Sequence, residues 1–370
     1  LYSALARGMP APPRTPTGFL EILELVWWRL DRALDADTIE WSAKLGALEA
    51  LERGCTAIVD HHESPNAIEG SLSIIADACA EVGVRVNCAY GVTDRHGPDG
   101  AAAGLAENDR FLRELAANAG GGSGPGDRRG RVRGMVGLHA AFTCTDETIA
   151  AAAELARSHG VGVHVHVAEG PADTWERLRG HTGEDWWLVH GVHLPDDHGL
   201  QGTVVHNPRS NMNNAVGTAD VPWMLKIQIP VGLGNDGFSN NMFTEMAAAY
   251  LVHKQATGDL RAMPANQVIQ MAWNNNARIA RTFFPGLGGR FGVLAKGAPA
   301  DVILVGYQPP TPLTAGNLPW HIIFGLDGTG VDTTIVGGRV LMRNKNLLTL
   351  DEAALMVRAR ELARKLWQRV

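Results

Sequence analysis

Val132-Arg-Gly-Met-Val-Gly-Leu138 is followed by Asp146-Glu-Thr-Ile-Ala-Ala-Ala-Ala-Glu-Leu-Ala-Arg-Ser158 and then by Val161-Gly-Val-His-Val-His-Val167. The outer two runs are short and apolar, as buried strands are, and the middle one has the composition and spacing of a helix. Strand, helix and strand in that order make one parallel βαβ unit. The alternation continues in both directions. Upstream, Thr56–Asp60 and Val84–Tyr90 read as strands, with a helix Ser71–Val82 between them, Ser71 as its candidate N-cap, and a second helix around Leu105–Ala117. Downstream, Trp186–His190, Thr203–His206 and Pro230–Gly234 read as strands, with a short helix near Ala172 and a long one over Asn241–Gln255.

Seven strands in series predict an α/β fold of the (β/α)8 TIM-like barrel type, one strand short of closure. The helical stretches Gly18–Leu34 and Thr38–Arg53 precede the first visible strand, so the expected position of the eighth is upstream of Leu1, where the chain opens without Met. Gly120–Gly130 reads as a surface loop. After a helix over Pro264–Phe283 the texture changes. The glycine-rich Gly286–Gly297 leads to strands at Asp301–Val305 and Asp332–Met342, the latter turning at Gly337-Gly338. The expected division is a barrel over 1–285, a small β composite domain over 286–350 and a C-terminal helix over 351–370.

Composition narrows the function classes. Of 370 residues 45% are hydrophobic and 19% charged, which supplies a large core and excludes a disordered or fibrous chain. No run approaches the roughly 18 apolar residues of a membrane span. The net charge of −6 without a long basic run speaks against nucleic-acid binding. The four cysteines form no Cys-x-x-Cys pair and read as reduced thiols of a cytoplasmic protein. A small-molecule substrate is the expected partner, with self-association left open.

In a parallel barrel the active site lies at the carboxyl ends of the strands. Here those ends carry Asp60-His61-His62, Tyr90, His139, His166, His190, His206 and Asp236. One such histidine is ordinarily a satisfied core ring; several on one face predict a metal or acid/base site. In His164-Val-His166-Val-Ala-Glu169, period two sends both imidazoles the same way, with His166 nearer the rim and His164 as core. A neutral imidazole there suits zinc or a similar divalent ion, and Glu169 sits where a carboxyl faces the bound water without ligating. Asp236, in Gly232-Leu-Gly-Asn-Asp-Gly237, adds a carboxylate among small residues that let a substrate approach.

His166-Val-Ala-Glu169, Leu188-Val-His190-Gly-Val-His193, Val205-His206-Asn-Pro-Arg-Ser-Asn211 and Leu233-Gly-Asn-Asp236-Gly237 resemble the amidohydrolase superfamily in its chlorohydrolase/deaminase branch. Trp27-Trp-Arg-Leu-Asp-Arg-Ala-Leu34, Val59-Asp-His-His62, Thr93-Asp-Arg95, Ser210-Asn-Met-Asn-Asn214 and Thr311-Pro-Leu313 bring the resemblance closer to aminohydrolases associated with selenium metabolism. The resemblance implies a metal-dependent hydrolase of non-peptide C–N bonds, an aminohydrolase of an amidine-like or heterocyclic small molecule. His166 and Asp236 would be metal ligands, Glu169 the proton shuttle and Asp236 the base. His190 would polarise the substrate or hydrogen-bond the attacking water, and His139 and His62 would line the substrate pocket. Binuclear members bridge two metals with a modified lysine at the fourth strand; Gly137-Leu138-His139 has none, so one divalent ion is expected, Zn2+ ahead of Fe2+. Hydrolytic dehalogenation and a non-catalytic metal-binding scaffold are the competing readings; Glu169 and Asp236 argue against the scaffold. Leu1-Tyr-Ser-Ala-Leu-Ala-Arg-Gly8 resembles the segment after the family's first-strand His-x-His, so the resemblance further implies that this pair is missing and that the 370-residue form is inactive.

Overall fold

A computed structural model describes residues 1–118, 128 and 130–370. The stretch read as a loop at Gly120–Gly130 lies, apart from Arg128 and Gly130, outside the described residues. The main sheet contains β1 (Ala57–His62), β2 (Arg85–Val92), β3 (Val132–Gly134), β4 (Val136–Ala140), β5 (Val163–Val167), β6 (Trp187–His190), β7 (Thr203–His206) and β8 (Val231–Leu233). Its order is β1-β2-β4-β5-β6-β7-β8, with β3 paired beside β2, and every pairing is parallel. Strands follow one another in chain order, so each crossover carries its helix to the same outer face and the sheet curls as a barrel does. The two end strands, β1 and β8, are not paired with each other.

The unit that decided the reading forms for local reasons. The helix Asp146–His159 starts at Thr145, whose side chain accepts from the Thr148 N–H, carries Asp146 and Glu147 in its first turn, and stops at left-handed Gly160. Ile149, Ala152, Ala153 and Ala156 form its buried stripe, packed with Val163, Val165 and Leu138 in one cluster. Removing a side chain such as Ile149, fully buried, costs about 2–5 kcal/mol as Ile→Ala.

Several readings differ from the structure: Ser71 is the first residue of its helix, with Gly70 as N-cap, and a π turn at Gln270–Asn275 divides the helix read over Pro264–Phe283. Val132–Leu138 is two strands, because the chain breaks at Met135 and β4 takes up β2 again through Gly91↔Gly137. Gly137 suits that close approach: a Cβ there would stand 2.3 Å from the Tyr90 carbonyl oxygen. No helix forms near Ala172; the Asp173 carboxylate instead accepts from the Ala168 N–H, a local bond that competes with helix formation, and only a short 3-10 turn follows at Trp175–Leu178. Gly18–Leu34 is helical but interrupted by a π turn at Leu23–Trp27, which rephases the helix Trp28–Ala33.

The second sheet is antiparallel, order β12-β11-β10-β9, from β9 (Val302–Val305), β10 (Val331–Val336), β11 (Arg339–Arg343) and β12 (Asn346–Leu347). It rests on the helix Ala36–Glu52, where Thr334 Oγ1 donates to the Leu51 carbonyl at 2.8 Å. The helix Glu352–Trp367 closes the chain, its Trp367 Nε1 donating to the Leu5 carbonyl at 2.9 Å. No described helix is long and apolar enough to cross a membrane.

Candidate active site

A cavity of about 970 Å³ opens at the carboxyl ends of the main sheet, lined among others by His61, His139, His166, Glu169, His190 and Asp236. Each arrives at or just past a strand end. His166 is the fourth residue of β5 and Glu169 follows it; His190 ends β6; Asp236 lies three residues beyond β8. Ala168, His190 and Asp236 all adopt left-handed backbone, φ 50°, 77° and 51°, a conformation that concentrates at functional sites.

Glu169, His190 and Asp236 offer ligand atoms that all lie within 4.8 Å of one another. His190 is fully buried; its Nε2 stands 3.4 Å from Glu169 Oε2 and 4.0 Å from Asp236 Oδ2. The other ring nitrogen, Nδ1, meets Asn211 Oδ1 at 2.8 Å, an acceptor, so the proton sits on Nδ1 and Nε2 keeps its lone pair. That Nε2 has no hydrogen-bond partner. Burial pushes the imidazole's pKa down against the pull of Asp236 and Asn211, which keeps the ring neutral. His166 stands alongside, its ring centroid 5.5 Å from that of His190. Its Nδ1–H donates to the His139 carbonyl at 2.6 Å, which again leaves Nε2 as the free lone pair.

The two carboxyl groups are driven apart. Burial, reinforced by the charge of Asp236, pushes Glu169 up to about 7, against His166 and the Asn214 amide. Asp236 is also raised by desolvation, but His190, His166, the Ser210 hydroxyl and the Gly237 N–H outweigh that and hold it below its ordinary value. Two acids with opposed shifts in one pocket are the usual arrangement for separate acid and base roles.

His164 is buried, its ring tilted against those of His61 and Trp187 at 4.8 and 6.0 Å, and it adjoins the cavity as well as the core. His139 lines the cavity, its Nδ1 bonded to Thr143 Oγ1 at 2.7 Å. The expectation for His62 is corrected. The pleat of β1 turns His61 into the cavity and His62 to the other face. There His62 is fully buried, with Nε2 bonded to Ser64 Oγ at 2.9 Å and its ring edge-on to Tyr2 and Tyr90. His206 likewise turns away, its Nε2 3.2 Å from His253 Nε2.

Residue-by-residue reading of the sequence passed over a second group on the cavity wall. Glu63 approaches His139 Nε2 at 3.6 Å and pairs with Arg95, whose guanidinium lies 3.7 Å from Asp31 and stacks on Trp28 at 4.4 Å. Burial and mutual repulsion raise the Asp31 carboxyl well above its ordinary value. Asp31 Oδ1 and Trp28 Nε1 are buried without hydrogen-bond partners. Their only sequence signal was the company they keep, within Trp27–Leu34 and Thr93–Arg95.

The curled parallel sheet, the carboxyl-end cavity and the clustered imidazoles and carboxylates define a barrel hydrolase. Residues 15–341 match the model of the Amidohydrolase family, and the chain belongs to that family. It is a metal-dependent hydrolase of carbon–nitrogen bonds other than peptide bonds. It is 32% identical over 378 residues to a 5'-deoxyadenosine deaminase of Methanosarcina mazei, covering 95% of this chain and 81% of the relative. It is 31% identical over 368 residues to a 5-methylthioadenosine/S-adenosylhomocysteine deaminase of Desulforudis audaxviator, covering 93% and 80%. Among solved structures, an adenosine deaminase of Xanthomonas campestris with bound zinc superposes with a TM-score of 0.80 at 18% identity, over 100% of this chain and 83% of that one.

Proposed function

We propose that the protein is an aminohydrolase that replaces an amine on an sp² carbon of a planar nitrogen heterocycle by oxygen, releasing ammonia. The observation that carries this is the convergence of Glu169, His190 and Asp236 around the unpartnered lone pair of His190 Nε2. The imidazole nitrogens of His166 and His190 gathered beside two carboxylates suit one divalent cation of the nitrogen- and oxygen-loving kind, zinc before iron. His166, through its free Nε2, and Asp236 would hold it. When bound, such an ion lowers the pKa of water toward about 7 and so supplies a nucleophile at neutral pH.

The protein's own groups do the rest. Asp236, ionised at neutral pH, accepts a proton at its carboxylate. Glu169, with a pKa near 7, carries a proton on its carboxyl and passes it to the departing amine nitrogen. His190, neutral and anchored at Nδ1, presents Nε2 to the reacting centre. His139 and the wall of Trp28 and Asp31 contact the remainder of the ring, where the unpaired Trp28 N–H and Asp31 oxygen match a polar edge of the substrate. The adenine nucleosides named for the relatives are the first candidates. Kinship with aminohydrolases of selenium metabolism is part of the same proposal, on the strength of Trp27–Leu34 and Ser210–Asn214.

The test is ammonia release from 5'-deoxyadenosine and a panel of aminated purines, pyrimidines and triazines. Turnover is measured before and after chelation, and again after adding back zinc or ferrous iron. Glu169→Gln is expected to lower kcat about 10²- to 10⁴-fold, the range of a lost acid/base group. Turnover that survives both the chelator and Glu169→Gln refutes the reading.

A further inference from the structure

One short helix reaches all three of the converging side chains. The helix Pro208–Asn213 follows β7, and with Asn214 as its C-cap it spans just under two turns. Ser210 Oγ donates to Asp236 Oδ2. Asn211 Oδ1 accepts from His190 Nδ1 at 2.8 Å, and Asn214 Nδ2 donates to Glu169 Oε1 at 3.0 Å. The three side chains bonded in this way come from β6, the turn after β5 and the turn after β8. None of the three is next to another in sequence.

The helix is itself anchored. Arg209 donates from Nε to the buried Glu245 at 2.6 Å, and from its two terminal nitrogens to the Ser239 hydroxyl at 3.1 Å and the Ser239 carbonyl at 2.7 Å. Ser210, Asn211 and Asn214 are 3%, 1% and 8% exposed, and since His190 and Glu169 are buried as well, water has little access to the two asparagine bonds.

We propose that Ser210, Asn211 and Asn214 are positioning residues, a single clamp that sets the orientation of Asp236, His190 and Glu169 together. The proposal rests on the reading that those three side chains carry the chemistry. Its content is chemical as well as steric, because the two asparagines work with opposite ends of the same amide. Asn211 must accept, so that the His190 proton stays on Nδ1 and Nε2 stays free. Asn214 must donate, so that one oxygen of Glu169 is fixed and the other is left to the substrate. A side chain present only to fill space would show no such polarity.

The same isosteric change at both sites reads that polarity out. Asn→Asp keeps the volume and keeps an acceptor but removes the amide donor. Asn211→Leu is expected to lower kcat about 30-fold with KM changed by less than about 3-fold, and Asn211→Asp to recover most of that loss. At the other site Asn214→Asp is expected to be as damaging as Asn214→Leu, because it has no N–H for Glu169 Oε1 and its carboxylate draws on the proton that Glu169 must deliver to the amine. These sizes follow from the roughly 1.5–3 kcal/mol of a hydrogen bond to a charged or reacting group. Thermal midpoints of all four variants report folding.

A second readout needs neither turnover nor metal. In histidine labelled with ¹⁵N, the His190 ring of the metal-free protein should carry its proton on Nδ1. In Asn211→Leu that proton should move to Nε2, and in Asn211→Asp it should return to Nδ1. Equal losses for Asn211→Asp and Asn214→Asp, or a wild-type His190 protonated on Nε2, overturn the clamp. If Glu169→Gln and His190→Ala leave turnover intact, it is the assignment of the reacting groups that falls, and the clamp falls with it.

Discussion

Replacing Arg209 by alanine should cost more stability than any exposed arginine, and the cost should depend on pH. Glu245 is wholly buried. Even with Arg209 Nε 2.6 Å away, burial pushes its carboxyl up from 4.5 to about 7. At 1.36 kcal/mol per unit, that shift alone costs about 3 kcal/mol above pH 7 relative to an exposed glutamate. Arg209→Ala removes the one guanidinium paired with it, and breaking a buried pair from one side typically costs about 3–5 kcal/mol. Glu245 then escapes the penalty only by holding its proton. A raised native pKa contributes no loss below pH 4.5, where folded and unfolded chains are both protonated. Wild type and variant share that loss up to about pH 7, where wild-type Glu245 ionises; above it the variant alone goes on losing, by up to about 1.4 kcal/mol per unit. Urea unfolding at pH 5, 6, 7, 8 and 9 should show the Arg209→Ala deficit level up to about pH 7 and widening above it. Arg209→Met with Glu245→Met should recover most of the stability, since an apolar pair of similar size replaces the ions. Ammonia release should stay low in that double variant, because Ser239 and the turn carrying Asp236 lose their anchor. A deficit under 1 kcal/mol that is flat across this pH range would refute the reasoning.

Two more outcomes follow from groups away from the chemistry. His253 is buried against His206 and its pKa is depressed by burial from 6.5 to about 4; its stabilising contribution is therefore full above pH 6.5 and disappears as pH falls toward 4. At most about 3 kcal/mol is involved, and His253→Gln should reduce the pH slope of unfolding by up to one proton over that interval. Gly162→Ala would place a Cβ 1.8 Å from the Asp185 carbonyl oxygen. A loss of about 1–3 kcal/mol is expected, seen as a lower urea midpoint; an unchanged midpoint would mean that the backbone there yields freely.

The barrel could be read from the chain because parallel strands buried on both faces are apolar, short and separated by helices with ordinary caps, as around Thr145 and Gly160. The strand-end rule then located His139, His166, His190 and Asp236 without any knowledge of contacts. What stayed hidden depends on which way a side chain turns. His61 and His62 are adjacent and chemically identical, and only the pleat of β1 against β2 decides which one enters the cavity. Asp31, Glu63 and Arg95 become a group through packing between a helix and two strand ends. Nothing local marks Asp31 as buried, since a lone aspartate in a helix is ordinarily solvated. The missing helix near Ala172 shows the opposite failure: the helical pattern is present, but Asp173 satisfies the backbone of Ala168 and the chain turns instead. Asn211 and Asn214 lie within Val205–Asn211 and Ser210–Asn214, which carry the family likeness, yet their bonds to His190 and Glu169 exist only once β5 and β6 are brought beside β7.

The left-handed backbone at His190 and Asp236 also limits how this site can change by mutation. Residues that tolerate positive φ are few: glycine above all, then asparagine, aspartate and histidine. Both positions already hold members of that small set. The substitutions that leave the strand ends undistorted are therefore exchanges within it, such as His190→Asn or Asp236→Gly, which erase the imidazole or the carboxylate. Exchanges that would bring in a different reactive group, a lysine, a cysteine or a threonine, must first bend the chain. If His190 and Asp236 act as proposed, drift at these two positions leads to a silent barrel far more readily than to one with new chemistry, and variation in what the enzyme accepts is left to the side chains of the surrounding wall.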